Sequence, residues 1–131
     1  MSLVITPEQT PVFRALVATE SGTRLTQSNV ATQAELTAEG ISDVPISLTV
    51  YKYVNGVYVV QTPFIGLQID LSAYLTDTTL DYNFEYIPNG RSQFMFPSSG
   101  EYVVEFKTYP KTGSPRVTWR TSVSVIESEA W

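Results

Sequence analysis

The 131-residue chain contains neither cysteine nor histidine. Without cysteine there is no disulfide, no thiol nucleophile and no zinc–thiolate site. Without histidine the commonest general base and the commonest transition-metal ligand are also missing. Carboxylates, lysines, tyrosines and hydroxyls are the only groups left for chemistry, which counts against an enzyme. Basic residues are scarce: eight Lys and Arg face thirteen Asp and Glu, for a net charge of −5. A phosphate backbone wants a basic stripe, so nucleic acid is not an expected partner. No apolar run is long enough to span a membrane. The start, Met1-Ser-Leu-Val-Ile-Thr-Pro7, has no basic residues and no long apolar region of a secretory kind. The expectation is a protein that stays in the cytoplasm where it is made, unless a signal has been removed. The seven glycines are scattered and form no phosphate-binding loop, and no nucleophile elbow is present. No Asn-x-Ser or Asn-x-Thr glycosylation acceptor occurs either.

Val, Thr and Tyr are abundant, and these residues suit a pleated surface. The clearest pattern runs from Phe94 to Ile126. Tyr102, Val104 and Phe106 fall on one side of a period-two run, with Glu105 and Lys107 on the other. Val117, Trp119, Val123 and Val125 do the same opposite Thr118, Arg120, Ser122 and Ser124. Such alternation marks strands with one dry and one wet face. Pro110-Lys-Thr-Gly-Ser-Pro115 joins them as a hairpin turn by composition.

Upstream, Ile46, Leu48 and Val50 alternate with Ser47 and Thr49, and Val54-Asn-Gly-Val57 then gives a two-residue hairpin turn. This register pairs Val54 with Val57, Tyr53 with Tyr58 and Tyr51 with Val60. Tyr51, Tyr53, Tyr58 and Val60 share one face; Val50, Lys52, Val57 and Val59 share the other. Alternation alone leaves open which of the two faces the core. The tyrosines either cover a sheet edge with wet hydroxyls or form a flat surface for protein or sugar. Leu67, Ile69 and Leu71 alternate next, and one helical turn over Ser72–Asp77 is capped by Asp70 or Ser72. Leu80, Tyr82, Phe84 and Tyr86 form another strand opposite Asp81, Asn83 and Glu85, followed by a Pro88-Asn-Gly-Arg91 turn.

The first forty residues are less regular. In residues 1–22, Pro7 and Pro11 separate Leu3-Val-Ile5 from Val12-Phe-Arg-Ala-Leu-Val17. Proline removes a backbone donor, so this segment reads either as an edge strand or as an extended arm laid on a neighbouring subunit, with Val12 and Phe13 as its contacts. Residues 23–131 then form the sandwich domain. Within 23–40, Ser28 could cap a helix over Asn29–Glu39 ending at Gly40, but the threonines and the surrounding strands favour a strand over Ala31–Thr37.

Seven or eight short strands separated by turns indicate an all-β, antiparallel sandwich. The acidic residues suggest no strong site. Asp70, Asp77 and Asp81 match no calcium loop. Glu85, Glu101 and Glu105 would be the carboxylates of a glycosidase, but Glu85 and Glu105 point outward onto an open sheet. No metal or cofactor is therefore expected. Arg91 at a hairpin tip and Trp131 at the acidic tail, Glu127-Ser-Glu-Ala-Trp131, complete the candidate contact residues.

Phe94-x-Phe-Pro-x-x-Gly-x-Tyr-x-Val-x-Phe106 resembles the entry to the sixth strand of immunoglobulin-like modules. In those modules a tyrosine hydroxyl ties back to the upstream backbone, and Tyr102 stands at the matching position. The resemblance covers the last third of the chain. The paired cysteines and the third-strand tryptophan of antibody domains are absent, because Trp119 lies in the last strand. The similarity is to the cysteine-free immunoglobulin-like domains of bacterial surface proteins and phage virions. It implies a structural, homo-oligomeric virion accessory, either a capsid decoration or a tail-associated protein, which binds neighbouring protein subunits through its arm and sheet surface. The alternative is a carbohydrate-binding or adhesive module on a bacterial surface, with Tyr51, Tyr53, Tyr58 and Trp119 stacking on sugar rings.

Overall fold

The structure, a computed structural model, describes residues 2–6, 8–77, 79–88, 95–111 and 115–126. In chain order the strands are β1 (Ser2–Ile5), β2 (Phe13–Ala15), β3 (Ile46–Val54), β4 (Val57–Val60), β5 (Leu67–Gln68), β6 (Phe84–Tyr86), β7 (Gly100–Thr108) and β8 (Val117–Val125). One helix, α1 (Gln33–Ala38), and two single 3-10 turns, Gln27–Asn29 and Leu71–Ala73, interrupt them. Strands therefore dominate.

The large sheet has the order β1-β8-β7-β3-β4, and β5 pairs with β3 beyond the end of β4. A small second sheet pairs β2 with β6. All pairs are antiparallel except one. β1 runs parallel to β8, with Ser2 opposite Ser122 and Ile5 opposite Val125, so the large sheet is mixed where wholly antiparallel pairing was expected. The alternation explains the choice of partner: this register puts Ile5 and Val125 together in the core. The parallel connection this demands is supplied by nearly the whole chain.

The expected closing pair is present. β7 and β8 are in register from Gly100↔Val125 to Thr108↔Val117. Tyr102, Val104 and Phe106 are buried, as are Ile46, Leu48 and Val50 on the neighbouring β3. Phe106 is the meeting point of the two sheets. Its ring lies 5.5 Å from Phe13 of β2, 5.3 Å from Phe84 of β6 and 5.4 Å from Trp119 of β8. Edge-to-face and stacked contacts at these separations contribute beyond the area they bury. Trp119 thus belongs to the core side and is not available to stack on a sugar. The Tyr102 hydroxyl donates to the Ser98 carbonyl at 2.7 Å, tying the start of β7 to the turn before it. Lys52 bonds the Ser98 hydroxyl and lies over the Tyr102 ring, 5.5 Å from its centroid.

Three local readings need correction. Residues 33–38 are helical, not a strand, and the cap is Thr32, not Ser28. The Thr32 hydroxyl accepts from Glu35 N–H at 3.2 Å, and the Glu35 carboxylate accepts from Thr32 N–H at 3.1 Å. This reciprocal box outweighs the poor helix propensity of threonine. At the other end Gly40 has φ +76, and Ile41 N–H and Gly40 N–H close back on Leu36 and Thr37 carbonyls. Second, the run Leu67–Leu71 is not one strand: β5 stops at Gln68, and Asp70 caps the 3-10 turn by accepting from Ser72 N–H at 2.8 Å. Third, only Phe84–Tyr86 of the Leu80–Tyr86 run is a strand, and Asn83 is buried rather than outward.

Asn83 is the polar centre of the second layer. Its side-chain oxygen accepts from Val17 N–H at 2.6 Å, and its amide donates to the Val17 and Leu25 carbonyls at 2.8 and 2.7 Å. It ties residues 17–25 to the entry of β6, with every amide atom engaged. Tyr74 is a contrasting case. Its hydroxyl is buried without a hydrogen-bond partner among the described residues. Burial pushes the phenol up to about 12, opposed by the nearby Thr108 hydroxyl, which itself donates to the Pro45 carbonyl.

Candidate interaction surface

The β3–β4 hairpin is built as its sequence dictates. Asn55 (φ 49) and Gly56 (φ 87) form the two-residue turn, and the pairs Val54↔Val57, Tyr53↔Tyr58, Lys52↔Val59 and Tyr51↔Val60 follow. Positive φ at both positions matches the twist of the flanking strands, and Asn-Gly adopts it at little cost. Buried Val50 fixes which face is which: Lys52, Val54, Val57 and Val59 lie on the core side, and Tyr51, Tyr53, Tyr58 and Val60 face out.

The core-side residues at this end of the hairpin are nevertheless exposed. Val57 is 59% and Val59 43% accessible, while outward Tyr53 and Tyr58 are 47% and 54%. The hairpin therefore reaches past the second layer, and both of its faces are apolar and wet. The Tyr53 and Tyr58 rings touch, with centroids 5.1 Å apart. Below them Tyr51, Tyr58, Val103 and Arg120 line a shallow depression of about 290 Å³. Arg120 is held there by Glu105, at 2.6 and 2.7 Å.

Of the residues singled out from sequence, the structure brings Tyr51, Tyr53 and Tyr58 together on this face. Val12 is half-buried, and Phe13 is in the core against Phe106, so its ring cannot reach a partner. Residues 2–5 and 13–15 pair within their own domain. Arg91 and Trp131 lie outside the described residues, as does the centre of the 110–115 turn. Val54, Val57, Val59 and Val60 are the contributors that sequence reasoning missed. Alternation predicts one dry face, and only the short reach of the second sheet leaves both wet.

The carboxylates are dispersed. Glu85 pairs with Arg14 at 2.7 Å in the small sheet, Glu105 with Arg120 on the outer face of the large one, and Glu101 accepts from the Ser124 hydroxyl at 2.6 Å. Asp77 is held below the usual carboxylate range by the hydroxyl and N–H of Thr79, and Asp70 by the N–H of Ser72. Asp43 is partly buried, which would raise it, but Lys107, Tyr109 and Val44 N–H together hold it low. Among the described residues no three acidic side chains converge as a metal cage. The larger grooves, such as one of about 490 Å³ floored by Val30, Ile46 and Ile69, gather no convergent charged groups apart from Asp70 and Lys111 at the rim. No family model, curated protein or solved structure matches the chain.

Proposed function

We propose that this protein is a non-enzymatic structural component, an immunoglobulin-like sandwich that binds neighbouring protein subunits of a larger assembly, most specifically a phage virion accessory of the capsid-decoration or tail-associated kind. The observation that carries the reading is the β3–β4 hairpin, an aromatic and aliphatic projection exposed on both faces. Exposed apolar area of this kind marks protein interaction sites, and tyrosine suits them. The fold part of the reading draws support from the Tyr102–Ser98 tie, the tyrosine corner of such modules, and from the β8-β7-β3-β4 order, which parallels their G-F-C-C′ sheet. The two-stranded second sheet is smaller than theirs. The sheet surface, not an N-terminal arm, is the contact in this proposal, because Ile5, Phe13 and Val17 are buried in their own core. The test is mass spectrometry of purified particles from producing cells. The chain should be present at fixed stoichiometry, and the double substitution Tyr53→Ser and Tyr58→Ser should lower its incorporation at least tenfold while leaving its melting temperature unchanged. A chain absent from particles, or incorporated equally well after substitution, would overturn the proposal.

The depression between Tyr51, Tyr58 and Arg120 favours one second reading, a carbohydrate-binding surface. Retention on a glycan array that is lost with Tyr58→Ala would select it.

A further inference from the structure

The free side of β4 carries a pattern that fits a copy of itself. Gln61 N–H donates to the Val50 carbonyl, which continues the β3–β4 ladder. In an antiparallel ladder the residues of one strand aim their backbone groups alternately inward and outward. Val57, Val59 and Gln61 therefore point at β3, and Tyr58 and Val60 turn their N–H and C=O groups to the open edge. Val57-Tyr-Val-Val60 has no charge, no proline and no bulge, the usual devices that protect a sheet edge.

We propose that two copies of the chain pair edge to edge through β4, antiparallel, about a two-fold axis passing through Val59. This rests on the reading of the hairpin as an interaction surface and specifies one partner for it. In that register Tyr58 lies opposite the second copy's Val60, and Val60 opposite its Tyr58. Each such pair exchanges two backbone hydrogen bonds, so every outward group of the edge finds a partner. Side chains match as well. Tyr58 and Val60 are on the same outer face, so the tyrosine surfaces of the two copies become continuous, while Val59 meets Val59 on the other face. Charge does not oppose it. Lys52 sits one strand in from the edge, so the two Lys52 residues are three strand spacings apart, about 14 Å, beyond the screening length at physiological salt.

The area sets the expected strength. Two half-exposed tyrosines and four partly exposed valines present on the order of 400 Å² of side chain per copy. Pairing then buries about 800 Å² in all, less than the ~1,200 Å² of a standard stable interface. The dimer is thus weak and concentration-dependent. It is closed, because an isologous contact uses up the edge that forms it.

The native chain has no cysteine, so a single introduced thiol reports one contact only. Directly opposed residues in an antiparallel pair lie within disulfide reach. Under mild oxidation Val59→Cys should form a covalent dimer at least tenfold faster than Glu20→Cys, an exposed loop control. Sedimentation equilibrium of the unmodified chain should fit monomer and dimer. Val59→Lys and Val59→Asp should each shift that equilibrium to monomer by tenfold or more, and mixing the two should restore the dimer. Crosslinking no faster than the control, a chain monomeric up to about 1 mM, a dimer indifferent to Val59→Lys, or growth into longer oligomers through the β1 edge would each overturn the pairing. If the pairing fails while the tyrosine double substitution still blocks incorporation into particles, the self-contact is wrong and the interaction surface stands. If the dimer forms but the chain is absent from particles, the assembly role is wrong and the self-contact stands.

Discussion

Replacing Asn83 by alanine should be among the most damaging polar substitutions in the domain. The side chain makes three hydrogen bonds in a dry site, to Val17 N–H, Val17 C=O and Leu25 C=O. The losses are unequal. Val17 C=O keeps the Leu25 N–H, which also donates to it at 3.0 Å. Val17 N–H and Leu25 C=O are left with nothing. A buried polar group without a partner costs about 1–3 kcal/mol, so two give roughly 3–4 kcal/mol once a little relaxation is allowed. For a domain of this size that lowers Tm by about 10–15 °C. Urea unfolding at pH 7 measures it, with the m-value unchanged if the same surface is exposed. Asn83→Asp adds a second, opposite-signed check. Its carboxylate would still accept from Val17 N–H but would face two carbonyl oxygens, so at pH 7 it should be worse than alanine. Such a carboxyl has its folded pKa raised above the ordinary value near 3.9. The variant should therefore be most stable below that value and weaken as pH rises toward the folded pKa. A cost below 1 kcal/mol for Asn83→Ala, or an Asn83→Asp variant that gains stability as pH rises from 4 to 7, would refute the reasoning.

Three further outcomes follow from the same structure. The two buried tyrosine hydroxyls should behave oppositely: Tyr74→Phe removes an orphan and should leave stability unchanged or raise it by up to about 1 kcal/mol, whereas Tyr102→Phe breaks the Ser98 tie and should cost about 1–2 kcal/mol in urea melts. Phe13→Ala should cost about 3–5 kcal/mol by calorimetry, and removing residues 1–22 should prevent folding instead of merely weakening assembly, because Ile5, Phe13 and Val17 line the core. Asp43, with its folded pKa lowered by Lys107, Tyr109 and Val44, stabilises the domain above its unfolded pKa, and that contribution disappears as pH falls through the folded one. Asp43→Asn should accordingly lower stability at pH 7 and flatten its decline between about pH 5 and 2.

The parts of this fold legible in the sequence are those where local chemistry and tertiary contact agree. Asn55-Gly56 sets the hairpin register from the turn alone, and β7 and β8 alternate because one sheet face packs and the other meets water. Position 102 was also readable, since the strand start and the upstream Pro97–Gly100 turn place the hydroxyl near Ser98. The errors come from conflicts between levels. Thr32 and Glu35 stand three apart in a capping arrangement, yet the surrounding threonines have strand propensity, and the reciprocal hydrogen bonds decide for the helix. Asn83 sits in an alternating run and reads as outward. The chain enters β6 only at Phe84, so the alternation does not extend back to it. No count along the sequence shows where the small sheet stops, which is why the wet state of Val57 and Val59 was hidden while that of Tyr53 was not.

The side-by-side placement of β1 and β8 has a kinetic consequence. Their ladder joins the two most remote stretches of described chain, so it cannot begin until the intervening strands have brought Ile5 and Val125 together. Non-local pairing of this sort slows folding toward milliseconds or seconds. A four-residue edge that docks late should also open early, and its amides should exchange with solvent well before those of β7.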